Sequence, residues 1–277
     1  MIIDSHQHFW NPHRGDYGWM PPDDPILSKT YGPEDILPSL KKHSVNKTVL
    51  VQAAPTLYET EYLLGIADSV EFVAGVVGWV DFEQKNSYIH LERLKKHQKF
   101  KGLRPMVQDL PDDTWMARTD VQWAFEALSD LDLCFDALGF PRHLEHFLQL
   151  LNRHPNMKVV IDHCMKPQIR SHNSKGFLLW KNGMTLIAKE TSAYCKFSAL
   201  ITEANSNWTV EDLRPYVDHI LNVFGPDRVM WGSDWPVCLL RGSYSQWFDA
   251  AHILTNHLSL SDKSKVFGLN AARFYGL

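Results

Sequence analysis

The sequence predicts a (β/α)₈ barrel built as one domain over residues 1–277. Eight short β-branched runs alternate with longer amphipathic stretches. The runs are near-continuous in apolar residues, as strands of a parallel sheet covered on both faces are. The length of 277 residues lies close to the ~250 typical of a single barrel of this kind. An open doubly wound sheet is the competing architecture. Its dinucleotide-binding version is disfavoured, because no G-x-G-x-x-G follows the first strand.

The first run, IIDSH (2–6), leads into a Pro/Gly-rich stretch over 11–33. Long loops inside compact domains tend to be functional, so 11–33 is expected to be an active-site loop; Tyr17, Trp19 and Met20 read equally as lid or pocket wall and as a packed surface loop. Strands are then predicted over 47–52, 72–81, 100–105, 131–138, 157–163, 193–200 and 228–234. Helical periodicity fills the gaps at 34–43, 59–68, 88–97, 121–129, 142–152, 176–189, 210–224 and 244–255. A last helix is predicted from Ser261 to about Arg273, with Ser261 as its N-cap.

Composition narrows the function. Hydrophobic residues at 44% and charged residues at 22% describe an ordinary globular chain. A formal charge of −4 offers no electrostatic footprint for nucleic acid or an anionic membrane. No apolar run approaches the ~20 residues that span a bilayer, and the start of the chain lacks the pattern of a signal peptide. Cys134, Cys164, Cys195 and Cys238 show no CxxC spacing and read as reduced, buried thiols, which suits a cytoplasmic protein.

In a barrel of this type the active site sits at the C-terminal ends of the strands. The polar residues there are His6 and His8, Gln52, Asp81, Arg104, Asp136, His163, Lys196 with Ser198, and Asp234. Nearly every strand ends in a group that ionises, hydrogen-bonds or binds metal. His6 and His8 are two apart, so both point to one face of a strand. Three imidazoles with the Asp234 carboxylate suit a zinc ion; the same carboxylate suits a general base towards water. Gly232 permits close backbone approach beside Asp234. Arg104 is placed to hold a carboxylate or hydroxyls through its fork of donors. Asp4 and Asp162 read as braces for backbone or histidine nitrogens. Lys196 reads equally as an inward group or as a stem along the barrel wall. His143, His146, His252 and His257 read as helix-surface or capping residues.

Four motifs, Asp4-Ser5-His6-Gln7-His8-Phe9-Trp10, Gly102-Leu103-Arg104-Pro105, Asp162-His163-Cys164-Met165-Lys166-Pro167 and Trp231-Gly232-Ser233-Asp234-Trp235-Pro236, resemble those of the amidohydrolase superfamily and its TIM-barrel fold. More closely they resemble its lactonase branch, the sugar-lactone and 2-pyrone-4,6-dicarboxylate lactonases. The stretch 102–116, with Val107-Gln108-Asp109 and Pro111-Asp112-Asp113, is similar to the L-fucono-1,5-lactonase type. The resemblance implies hydrolysis of a small sugar-acid lactone. Asp234, His163, His6 and His8 would be catalytic, and Arg104, Gln52, Asp81, Asp109, Trp10, Lys166 and Trp235 would bind substrate.

The resemblance also implies either one divalent metal, zinc by preference, on His6, His8, His163 and Asp234, or metal-independent catalysis. A two-metal site is not expected, because strand four ends in Arg104 and strand five offers Asp136 rather than histidine. Relatives' His-Gly-Lys-Pro is here one residue longer, His163-Cys164-Met165-Lys166-Pro167, which displaces Lys166 from the family register. The rival readings are a zinc-dependent decarboxylase of the same superfamily and a non-catalytic carbohydrate- or protein-binding barrel. The sequence is silent on oligomeric state.

Overall fold

The computed structural model describes residues 1–277. Eight parallel strands follow one another around a single sheet in sequence order. They are β1 (Ile2–Gln7), β2 (Val45–Val51), β3 (Val73–Gly78), β4 (Phe100–Leu103), β5 (Cys134–Ala137), β6 (Lys158–Ile161), β7 (Tyr194–Phe197) and β8 (Val229–Trp231). Backbone bonds just past β8 close the barrel. Asp234 N donates to His6 O at 2.8 Å, and His8 N donates to Trp235 O at 2.7 Å. Helices over Pro33–Lys42, Leu57–Ser69, Tyr88–Lys95, Gln122–Asp130, Leu144–Arg153, Ser174–Glu190 and Val210–Phe224 occupy the seven crossovers, and Tyr244–Leu254 follows β8. This is the (β/α)₈ barrel expected, and no helix is long and apolar enough to cross a membrane.

The strands stop earlier than their apolar runs suggest, for local reasons. β3 ends at Gly78 because Trp79 N donates to Thr60 Oγ1 instead of to a neighbouring strand. β6, β7 and β8 end because His163, Ala199 and Asp234 take φ of 54°, 57° and 56°, a left-handed conformation that no strand continues. The last helix is also corrected. Ser259, not Ser261, is its cap, accepting from Asp262 N at 3.1 Å. The helix then widens over Lys265–Leu269 before a final segment, Asn270–Tyr275.

Side chains two apart on a strand share a face, and this layers the barrel interior. The lower layer is apolar: Ile3, Val49, Val51, Val77, Cys134, Val160 and Met230 pack together with Phe274 and Tyr275, so the final helix plugs this end. One pleat higher the interior is charged, with Asp136 above Cys134, Asp162 above Val160 and Lys196 above Tyr194. At the opposite end the 11–33 segment is held by a two-way backbone pairing of Trp10 and Tyr31. Tyr17 and Leu27 pack there against Trp10, Ala53 and Ala54.

Candidate active site

Asp234 Oδ1 is the focus of the mouth of the barrel. It lies 3.2 Å from His8 Nε2, 3.6 Å from His6 Nε2 and 3.8 Å from His163 Nε2. His6 on β1 and His8 just past its end approach each other at 3.2 Å between Nε2 atoms. Local backbone aims each group. Asp4 Oδ1 accepts from Ser233 N and His6 N, and its other oxygen accepts from the Tyr244 hydroxyl, which pins β1 to the end of β8. Asp4 therefore braces backbone, as expected, and burial pushes its carboxyl up to about 6. A Cβ on Gly232 would stand 2.8 Å from that of His6, so only glycine leaves His6 its place.

His163 opens a rarer feature. His163, Cys164, Met165 and Lys166 are four consecutive left-handed residues, with φ between 46° and 60°. Each such residue costs roughly 1–2 kcal/mol for a side chain with Cβ. Strain of this kind clusters where the chain must re-aim functional groups. Here it turns His163 and Lys166 to line the same cavity.

Burial biases all three imidazoles towards the neutral form. Burial lowers the pKa of each; Lys196 adds to the effect at His6, the neighbouring His6 at His163, and Arg104 at His8. His8 Nδ1 donates to Val51 O at 2.8 Å, which leaves a lone pair on Nε2 facing the Asp234 oxygen. Two acceptors at that distance call for a proton or a cation between them. The ligand atoms of His6, His163 and Asp234 all lie within 4.8 Å of one another, so the donor types suit one divalent ion. His6 counts against it: its Nδ1 faces the Lys196 amine at 3.1 Å.

Beneath the histidines lies a sealed cluster. Lys196 Nζ is 2.5 Å from Asp136 Oδ2 and 3.0 Å from Asp162 Oδ1, and all three side chains are fully buried. The contact with Asp162 is an ion pair rather than a well-aligned hydrogen bond. The Tyr275 hydroxyl completes the coordination of Asp136 at 2.8 Å. Burial pushes Asp136 up to about 6. Burial acts in the same direction on Asp162, but Lys196, His163 and Arg104 hold it below the ordinary range. Asp162 thus belongs to this cluster, and Lys196 is an interior group rather than a wall stem.

The cavity above Asp234 has a volume of about 90 Å³ and is bordered by His8, Trp10, Arg104, His163 and Lys166. Trp19 and Met106 separate it from a roomier cleft of about 420 Å³, lined by Trp79, Trp115, Asp81 and Asp109. Asp81 and Asp109 therefore sit one compartment away from Asp234. Two residues expected to touch substrate do not border either space. Gln52 is fully buried, its side-chain amide donating to Arg104 O while its backbone carbonyl accepts from the Arg104 guanidinium. Trp235 packs edge-on against Tyr31 and Phe9. Gln108, Leu138 and Ala53 border the inner cavity without having been expected; apolar or amide loop residues carry no sequence signal for such a role. His143 is buried and bonded to Asp113 and Phe140 N, away from the site.

A model of the amidohydrolase family matches residues 3–277. An L-fucono-1,5-lactonase of Burkholderia ambifaria is 39% identical over 277 residues, covering 99% of this chain and 94% of its own. A second L-fucono-1,5-lactonase, from Burkholderia multivorans, is 33% identical over 99% of this chain and 96% of its own. The crystal structure of a Burkholderia multivorans amidohydrolase with bound zinc superposes with a TM-score of 0.94 at 31% identity, covering 100% of this chain and 99% of that one. With its barrel, its histidine pair at the end of β1 and its strand-eight aspartate, this chain belongs to the amidohydrolase family.

Proposed function

We propose that the protein hydrolyses a sugar-acid lactone of the L-fucono-1,5-lactone type to the open hydroxy acid. The observation that carries this reading is Asp234 Oδ1, ringed by three imidazoles at the floor of a cavity that Arg104 and Lys166 also line. The full-length similarity to two L-fucono-1,5-lactonases supports it.

In this mechanism Asp234 takes a proton from water, and the oxygen attacks the ring carbonyl carbon. The carbonyl oxygen gains negative charge in the cavity that Arg104 and Lys166 line, and these two cations supply the donors towards it. Collapse of the tetrahedral intermediate breaks the ring C–O bond, and protonated Asp234 returns its proton to the departing alkoxide. A divalent ion, zinc by preference, would be held by His8, His163 and Asp234, with His6 joining them only when its Nε2 is free of hydrogen, and would supply Lewis-acid polarisation of the carbonyl. The inner cavity, at about 90 Å³, is far below the ~300–1,000 Å³ of ordinary ligand pockets. It receives the reacting carbonyl, while the ring hydroxyls extend towards Trp19, Trp79, Asp81 and Asp109.

The test is a pH-indicator screen of purified protein across aldono-1,4- and 1,5-lactones, with and without chelator. Acid release from a sugar lactone is expected. Turnover confined to 2-pyrone-4,6-dicarboxylate, to amides or to phosphoesters, or release of CO₂ from an aromatic acid, would overturn the assignment.

A further inference from the structure

Lys196 plays no part in the mechanism above, yet it stands in a second cradle of metal-ligating side chains. His6, Asp136 and Asp162 bring their ligand atoms within 4.8 Å of one another. The Lys196 amine is in contact with all three, at 3.1, 2.5 and 3.0 Å. We propose that Lys196 is a positioning residue: its ammonium is the resident cation of this cradle, and it fixes His6 as the Nε2–H tautomer, a hydrogen-bond donor aimed at the reaction centre.

An ammonium has three N–H groups and no lone pair. Two buried carboxylates against it keep it charged, so the third group it touches, His6 Nδ1, must accept. A neutral imidazole that accepts at one nitrogen carries its hydrogen on the other. The surroundings of Nε2 agree. His8 offers its Nε2 lone pair at 3.2 Å, because its own hydrogen is given to Val51 O, and Asp234 Oδ1 is 3.6 Å away. The opposite tautomer would aim Nδ1–H at Asp162 Oδ1 over 3.4 Å, and would set it against the ammonium at shorter range. Arg104 Nη1, 3.4 Å from His6 Nε2, is itself a donor and has Asp162 as its charge partner at 3.7 Å.

Two consequences follow. Through Nε2–H, His6 faces His8 and the Asp234 carboxylate and so positions the general base, a part of the inference that rests on the reading given under Proposed function. His6 is also a poor metal ligand while Lys196 is in place, because the nitrogen facing Asp234 carries hydrogen.

The experiment uses the full-length, metal-stripped protein. Long-range ¹H–¹⁵N spectra of histidine-labelled wild type, with His6 identified by its loss in His6→Gln, are expected to show His6 as the Nε2–H tautomer. An Nδ1–H signature would overturn the proposal whatever the enzyme hydrolyses. Zinc titration by calorimetry then compares wild type with Lys196→Met, folding being checked by circular dichroism. The variant is expected to bind zinc about tenfold tighter or to gain a second equivalent, since a fixed positive charge is removed from beside the ligands. Unchanged affinity and stoichiometry in the folded variant would overturn it. Should Lys196→Met leave the buried carboxylates too costly for folding, Lys196→Met with Asp136→Asn carries the same readout. A correct tautomer with no lactone turnover would remove the lactonase reading and leave the role of Lys196 intact.

Discussion

The apex around Asp234 and the sealed cluster around Lys196 are built from the same residue types and share His6, yet they behave differently. In the lower cluster charge is set against charge: an ammonium lies between two carboxylates and beside an imidazole nitrogen, and the Tyr275 hydroxyl supplies a further donor to Asp136, while the Asp162 oxygens are held by ion pairing alone. In the apex, acceptor faces acceptor, with the His8 lone pair directed at the Asp234 carboxylate. A charge-compensated cluster holds shape, while one in which acceptors face each other has capacity left for a proton, a water or a substrate.

The difference can be broken from either side. Asp234→Asn places an amide donor where the apex needs an acceptor and removes the general base. Turnover is expected to fall roughly 10²–10⁴-fold with an unchanged circular dichroism spectrum, and near-wild-type rates in a folded variant would refute the role. Arg104 touches both regions, through the cavity wall and through Asp162. Arg104→Met is expected to lower kcat/KM by about 10–100-fold, the loss of one charged hydrogen bond worth roughly 1.5–3 kcal/mol. Steady-state kinetics on the best lactone of the screen decide it.

Gly232→Ala would press on His6 at the point where the regions join. The cost expected is about 1–3 kcal/mol of stability, read as a lowered denaturation midpoint together with reduced kcat. A smaller effect comes from Glu59, a buried carboxylate held by Ala53 N and Ala54 N rather than by a lysine. Burial pushes it up from 4.5 to about 7, so between those values the folded state binds more protons than the unfolded chain. Stability contributed by this group is therefore lost as pH rises from about 4.5 to 7, by up to about 3 kcal/mol. Glu59→Gln should flatten that slope in thermal melts between pH 5 and 8, and an unchanged slope would refute it. The mildest change is Asp81→Asn in the outer cleft. A rise in KM of about two- to fivefold with unaltered kcat is expected, the size of one peripheral hydrogen bond.

The barrel was legible because buried parallel strands read as apolar runs, and because the polar residue after each run marks the rim. His6, His8, His163 and Asp234 could be placed together on that basis alone. Strand ends were less legible: a left-handed residue such as His163 or Asp234 looks in sequence like one more strand position. Gln52 and Trp235 show a further limit. Both follow a strand, but whether such a side chain meets the cavity or its neighbour's backbone depends on the height of adjacent strands, which sequence parity does not encode. Lys196 was ambiguous for the same reason, since its partners come from β5, β6 and β1. Tyr275, on the final helix, carried no signal at all.

Closure of the barrel has a consequence for how the protein is made. The bond between His8 and Asp234 joins residues 226 positions apart. At ~5–20 residues per second of synthesis, β1 waits roughly 10–45 s on the ribosome for its last partner, and longer for Tyr275 to plug the floor. Through that interval an apolar strand edge and a charged interior layer lack their cover. The protein's vulnerability to aggregation is thus expected to lie in the nascent chain, and chaperone dependence during translation should exceed that of refolding from dilute denaturant.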